Sequence, residues 1–190
     1  MKDVITTNQK ILYVTGRGGR LDKGLAAYLA SITRDFDGVA VDVPFLRQEP
    51  IQQVAHINQK LAEDPSRIVI ANSYGAYLTL QALVDLEQTL EHVVLLSPVL
   101  GVAMAKDRLY MSRPPLTGRL KRSIEEERVC VPQRMRIVVG DEDELYSPSQ
   151  FNTVSQYFGS DVLTVLQGEG HSLSRLAMQS VLQETLTAKS

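Results

Sequence analysis

Six short runs rich in valine, isoleucine and leucine recur along the chain: Ile11 to Val14, Val39 to Val43, Ile68 to Ala71, Val93 to Leu96, Ile137 to Val139 and Val162 to Leu166. Several are apolar at every position, with no polar alternation, which is the pattern of strands covered on both faces. Between them the period changes. Leu25, Tyr28, Leu29 and Ile32 fall on one helical stripe, as do Ile51, Val54, Ala55 and Asn58 with one polar lapse, and Phe151, Val154 and Phe158. Ser147, Pro148 and Gln150 announce a helix start, as N-cap serine, first-turn proline and the glutamine of a capping box. Strands that alternate with helices and are buried on both faces build an α/β domain, a doubly wound and mostly parallel sheet of about six strands with helices on both faces. The 190 residues, 44% of them hydrophobic, suffice for one such domain and are few for two. The tail from Thr187 is expected to fray.

Charge excludes some classes of partner. Twenty basic residues nearly cancel 22 acidic ones, so no global field gathers nucleic acid or an anionic membrane, and neither is expected as a partner. No apolar run approaches the roughly 18 residues of a membrane span, and MKDVITTNQK lacks the apolar core of a signal peptide. Cys130, the only cysteine, has no partner for an internal disulfide and reads within Val-Cys-Val as a small buried hydrophobe. A cytoplasmic location is the simplest expectation. No signature of oligomeric state is legible. Residues 101–136 hold no strand-like run and read as a short lid-like insertion over one edge of the sheet. They carry nine basic residues against four acidic ones. If they overhang the site, its entrance is electropositive and steers anionic substrates; otherwise they form a solvated helix in which Arg122 pairs with Glu126.

The third run ends unusually, in "IVIANSYGAYL". Ser73 lies just past a buried strand with a helical pattern beginning at once, and ligands of parallel α/β sheets bind beyond such strand ends. Ala71 and Gly75, two residues to either side, are small enough for a tight strand-turn-helix corner. A serine that merely caps the helix is the ordinary alternative. Two further loops follow later strands: Gly140-Asp141-Glu142-Asp143 with Pro148 shortly after, and Gly168-Glu169-Gly170-His171. After the first strand comes a fourth motif, Thr15-Gly16-Arg17-Gly18-Gly19.

Together these motifs resemble the α/β-hydrolase family, from about Ile11 to the final helix. Ala71-Asn72-Ser73-Tyr74-Gly75 is similar to its Gly-x-Ser-x-Gly nucleophile elbow, with alanine for the first glycine. The other two loops stand in its order of serine, acid, histidine. The resemblance implies a serine hydrolase of small size that forms an acyl-enzyme, with Ser73 as nucleophile, His171 as base and Asp143 as acid, Asp141 being the nearest competitor for the last role. It also implies an oxyanion hole from the backbone N–H groups of Arg17 and Tyr74, although Thr15 replaces the usual histidine. A small-molecule carboxylic ester or thioester is the expected substrate; lactones and peptides use the same machinery. Neither cofactor nor metal is implied.

Other readings compete. Gly16-x-Gly18 after a strand, with Asp42 closing the next, suggests a dinucleotide site, but Leu21 stands at the third glycine position. No Gly-Lys-Ser/Thr marks a P-loop. His56 falls on the solvent side of its helix and His92 precedes a strand, at the wrong end of the sheet for catalysis. The remaining alternative is a hydrolase-like fold that has lost activity and serves as a binding or scaffold protein.

Overall fold

The computed structural model describes residues 7–100 and 114–187. The fraying expected beyond Thr187 and the first part of the lid-like insertion, 101–113, lie outside these. The chain runs β1 (Ile11–Val14), α1 (Gly24–Ile32), β2 (Phe36–Val39), α2 (Val43–Leu46), α3 (Pro50–Glu63), β3 (Ile68–Asn72), α4 (Ser73–Ala82), β4 (His92–Leu96), α5 (Thr117–Glu125), β5 (Arg134–Gly140), α6 (Pro148–Phe158), β6 (Leu163–Leu166) and α7 (Arg175–Thr187). All six strands are parallel, in the order β2-β1-β3-β4-β5-β6. The doubly wound sheet expected from the apolar runs is what forms.

Winding starts at β1, goes one way to β2, and returns past β1 to add β3 through β6 on the other side. Right-handed crossovers in both directions place helices on opposite faces. Leu12, Val14, Val69, Ala71, Leu95, Ile137 and Val139 accordingly pack against α2 to α6. Ile11, Tyr13, Ile68, Ile70, Val94, Leu96 and Val138 pack against α1 and α7. This period of two explains why the runs read as continuously apolar: both sets of side chains are buried. Helix α4, covered by the sheet, α3 and α5, is buried at every residue from Tyr74 to Ala82.

Five expectations are corrected. The second strand is not Val39 to Val43 but ends at Val39, because Asp42 caps α2 by accepting the Phe45 amide hydrogen and Pro44 sits in its first turn. The same bond gives Asp42 a structural task in place of ribose binding. In α3 the buried stripe is Gln53, Val54, Ile57 and Leu61, while Ile51 is 53% exposed. The phase slips because α3 starts at Pro50 behind a Glu49–Gln52 capping box, leaving its first turn overhanging the core. Ser147 occupies its cap position but its side chain makes no capping bond to α6; its carbonyl accepts from Gln150 and Phe151 instead. The described part of 101–136 does not cover an edge: it joins neighbouring inner strands, and α5 lies on α4, where the Gln81 amide group donates to Leu116 O at 2.9 Å. Its last residues already belong to β5. Among the described residues Arg122 and Glu126 meet through their backbones and not as an ion pair, whereas Lys121 and Glu125 pair one turn apart, at 3.9 Å.

Cys130 is half-buried against the core, its thiol donating to Gln88 O at 3.3 Å, and burial pushes its pKa up. Among the described residues no helix is long and apolar enough to cross a membrane, and no three His, Cys, Asp or Glu side chains gather as a metal site.

Candidate active site

Ser73 sits where β3 becomes α4, beside the point at which winding reverses between β1 and β3. Crevices of parallel sheets open there. Its φ of 52° is left-handed, a conformation that costs an ordinary residue about 1 to 3 kcal/mol and therefore needs support from its surroundings. The support is close packing beneath the corner. A Cβ on Gly75 would lie 2.1 Å from Thr15 O, so only glycine lets α4 start this near β1. Beside it, buried Tyr13 bonds to the Asn72 side chain; burial pushes its phenol up to about 12, with that bond acting the other way. The hydroxyl stays neutral and the residue before the serine is held.

Two loops bring partners to the serine. Ser73 Oγ lies 2.9 Å from His171 Nε2, and His171 Nδ1 lies 3.1 and 3.0 Å from the two carboxylate oxygens of Asp143. Asp143 is buried, 5% exposed, and Oδ1 also accepts the Leu145 amide hydrogen at 2.7 Å. Asp141, the competing acid, instead accepts the Gly168 amide hydrogen at 2.7 Å. Its carboxylate ties the acid loop to the histidine loop. The two loops touch so closely that a Cβ on Gly140 would fall 1.8 Å from Glu169 O. Glu169 itself takes the backbone and hydroxyl hydrogens of Ser174 at 2.5 and 2.6 Å, ordering the approach to α7, and this holds its carboxyl below the usual range.

The glycine-rich loop after β1 closes the other side. Gly16 packs so near Ser73 that its would-be Cβ is 3.3 Å from the serine Cβ. Thr15, where the family resemblance has a histidine, is buried and latches the loop to the exit of β2: Oγ1 accepts from Val41 N at 2.8 Å and donates to Gly16 O at 3.1 Å. The Gly18 and Gly19 amides donate to Val41 O and Gly16 O. The Arg17 amide donates to no acceptor among the described residues, and Tyr74, in the first turn of α4, has no intrahelical acceptor for its own. The structure thus brings Ser73, His171 and Asp143 within hydrogen-bond reach and, among the described residues, leaves the two amides named from the sequence without partners.

Sequence reasoning missed two features. Ser97, just after β4, also has a left-handed φ, 44°, and its hydroxyl is buried without a partner among the described residues. The Arg17 guanidinium lies over the Tyr74 ring, 4.5 Å from its centroid. The Glu169–Ser174 bond did have a readable signal, an acid a few residues ahead of a helix-starting serine.

Comparison with known proteins bears on the fold and the family. No curated protein matches the sequence. Among solved structures, the ydeN gene product of B. subtilis is similar with a TM-score of 0.64 at 15% identity, covering 96% of this chain and 100% of that one. An alpha/beta hydrolase fold protein from Burkholderia ambifaria gives 0.62 at 16%, covering 97% and 92%. Esterase PE8 gives 0.60 at 15%, covering 95% and 94%. These identities establish the shared fold alone. The profile of the serine hydrolase family matches residues 41–181, a span that includes Ser73, Asp143 and His171, so the chain belongs to the serine hydrolase family.

Proposed function

We propose that the protein hydrolyses a small-molecule carboxylic ester or thioester through an acyl-enzyme on Ser73. The observation that carries this reading is the Ser73 Oγ–His171 Nε2 contact of 2.9 Å, with Asp143 on the opposite ring nitrogen. Asp143 fixes the tautomer in which Nδ1 is protonated and Nε2 accepts. His171 takes the serine proton as Oγ attacks the carbonyl carbon, and the Arg17 and Tyr74 amides stabilise the oxyanion that forms. The imidazolium then protonates the leaving oxygen or sulfur, and the acyl group stays on Ser73. In the second half His171 deprotonates water, which attacks the acyl carbon, and the proton returns to Ser73 as the acid departs.

An ester substrate is in keeping with the name of esterase PE8, which shares the fold. The basic residues of 101–136 and the lid-like role expected of that segment belong to this proposal as the place where substrates are distinguished. A reducing, cytoplasmic setting fits a chain with one cysteine. Labelling with a fluorophosphonate probe tests the nucleophile: wild type is labelled at Ser73 and folded Ser73→Ala is not. Equal labelling of the two sinks the assignment. No labelling of either, with no turnover of a panel of p-nitrophenyl esters and acyl thioesters, points to the binding or scaffold reading instead.

A further inference from the structure

The basic charge read in 101–136 is largely engaged where it is described. Arg119 donates to Gln81 O at 2.8 Å and lies 4.0 Å from Asp85, Arg128 pairs with Asp85 and Glu126 at 2.7 Å each, Arg136 pairs with Glu184 at 2.7 Å, and Arg134 approaches Glu91 at 3.5 Å. Arg17 differs. It is exposed, it stands on the glycine-rich loop against the serine, and among the described residues no carboxylate lies within 4.0 Å of it. Its near neighbour Arg20 is already held by Asp22.

The guanidinium carbon lies over the Tyr74 ring, and none of the guanidinium N–H donors has a hydrogen-bond partner among the described residues. That ring is itself fixed, 5% exposed, with its hydroxyl 3.3 Å from Gln53 Oε1. The fork is therefore partly ordered before any ligand arrives, which lowers the entropy lost on binding. A guanidinium that is preorganised and unpaired is a receptor for a planar anion, above all a carboxylate.

Sheet order says which part of a substrate it meets. β1 flanks β3 on one side; β4, β5 and β6 lie on the other, and His171 reaches Ser73 from that side. The leaving group must stay by His171 Nε2 to receive its proton, so the acyl substituent is directed across the serine, toward the β1 loop. We propose that Arg17 is a specificity residue that receives a carboxylate on the acyl part of the substrate, which makes the preferred substrates monoesters or monothioesters of short dicarboxylic acids. This rests on the reading of Ser73 as nucleophile.

The test compares p-nitrophenyl hydrogen glutarate with its neutral counterpart, p-nitrophenyl methyl glutarate, on the full chain. The readout is the ratio of kcat/KM for the anionic over the neutral ester, so each variant is its own reference. Arg17→Gln lowers the ratio about 10- to 100-fold, chiefly through KM, as expected for a lost hydrogen bond between charged groups. Arg17→Lys gives an intermediate value, and added salt lowers the ratio in wild type but not in Arg17→Gln. A ratio equal in wild type and Arg17→Gln within about twofold overturns the proposal and leaves Arg17 as a cover for Tyr74. Calorimetric titration with glutarate reads the same site without turnover, and weaker binding by Arg17→Gln is expected. Retained glutarate binding with no ester hydrolysis at all would break the nucleophile reading and leave the Arg17 assignment standing; equal glutarate binding by both proteins, or none by either, counts against Arg17.

Discussion

His171 and His92 sit at opposite ends of the sheet and have opposite surroundings. His171, beyond the carboxyl end of β6, has a partner on each ring nitrogen. His92 opens β4 at the amino end; it is 6% exposed, and its Nδ1 is buried with no hydrogen-bond partner among the described residues. Burial first, then Arg134 and Arg136, lowers its pKa to about 4. The contrast has a topological cause. Loops past the carboxyl ends are free to fold over one another, so unlike groups from three strands can converge. Within the ladder, neighbours are fixed by register: His92 lies beside Arg134 and Val94 beside Arg136. A cavity of about 430 Å³ opens at the His92 end, but the arginines lining it are engaged by Glu91 and Glu184. Volume singles out the His92 end, whereas the meeting of a serine, a histidine and an aspartate singles out the other.

The largest effect separating the two ends is on turnover. Ser73→Ala and His171→Ala should each lower kcat by several orders of magnitude, with the double variant little worse than either, because the groups act together. His92→Gln should leave kcat within about threefold. Steady-state kinetics on a p-nitrophenyl ester decides it, and a His92 variant as impaired as His171→Ala would break the contrast.

The two acids sharpen it next. Asp143→Asn removes the group that orients the imidazole and should cost about 10³- to 10⁴-fold in kcat. Asp141→Asn leaves that contact in place and weakens a loop tie, for a loss nearer tenfold. Interchanged magnitudes would move the triad acid to Asp141.

Stability gives the third and smaller separation. Gly75→Ala forces a methyl group into Thr15 O and should destabilise by roughly 1 to 3 kcal/mol, measured by urea unfolding.

The fourth concerns pH. The unfolded chain takes a proton on His92 near 6.5 and the folded chain only near 4. Between these values the unfolded state binds more protons, so stability falls as pH is lowered through the window and the change levels off below it. His92→Gln should flatten that part of the profile of Tm against pH. An unchanged slope would show that His92 does not titrate there.

Much of this was legible because glycines and small residues punctuate the loops. Ser73, Asp143 and His171 were named from strand-loop motifs, and they are the side chains that meet. What stayed hidden depended on three-dimensional direction. The Val39 to Val43 run reads as strand by composition, yet the cap formed by Asp42 and the turn at Pro44 redirect it. Ile51 counts as apolar in a one-dimensional stripe although the helix's first turn projects past the core. The nine basic residues of 101–136 looked like a field, and only positions in space show that Asp85 beyond α4, Glu91 ahead of β4, Glu125 and Glu126 at the end of α5 and Glu184 on α7 engage most of those that are described. Arg17 drew notice for its amide alone, since nothing in the order of residues says that its side chain folds back onto the ring of the residue after the serine.

β6 bears on how the molecule would fail. It has four residues, none fully buried, and pairs only with β5. His171 follows it, tethered mainly by the Asp141–Gly168 bond and the Glu142 amide on Glu169 O. The elbow serine, by contrast, rests on β3, in the middle of the sheet. Opening of β6 and α7 as a sub-global unit would withdraw His171 while Ser73 stays in place. Hydrolysis should then cease in mild denaturant before tyrosine fluorescence reports global unfolding, and amides of β6 should exchange with deuterium well ahead of those of β3. The protein would pass through a state that is folded but inert.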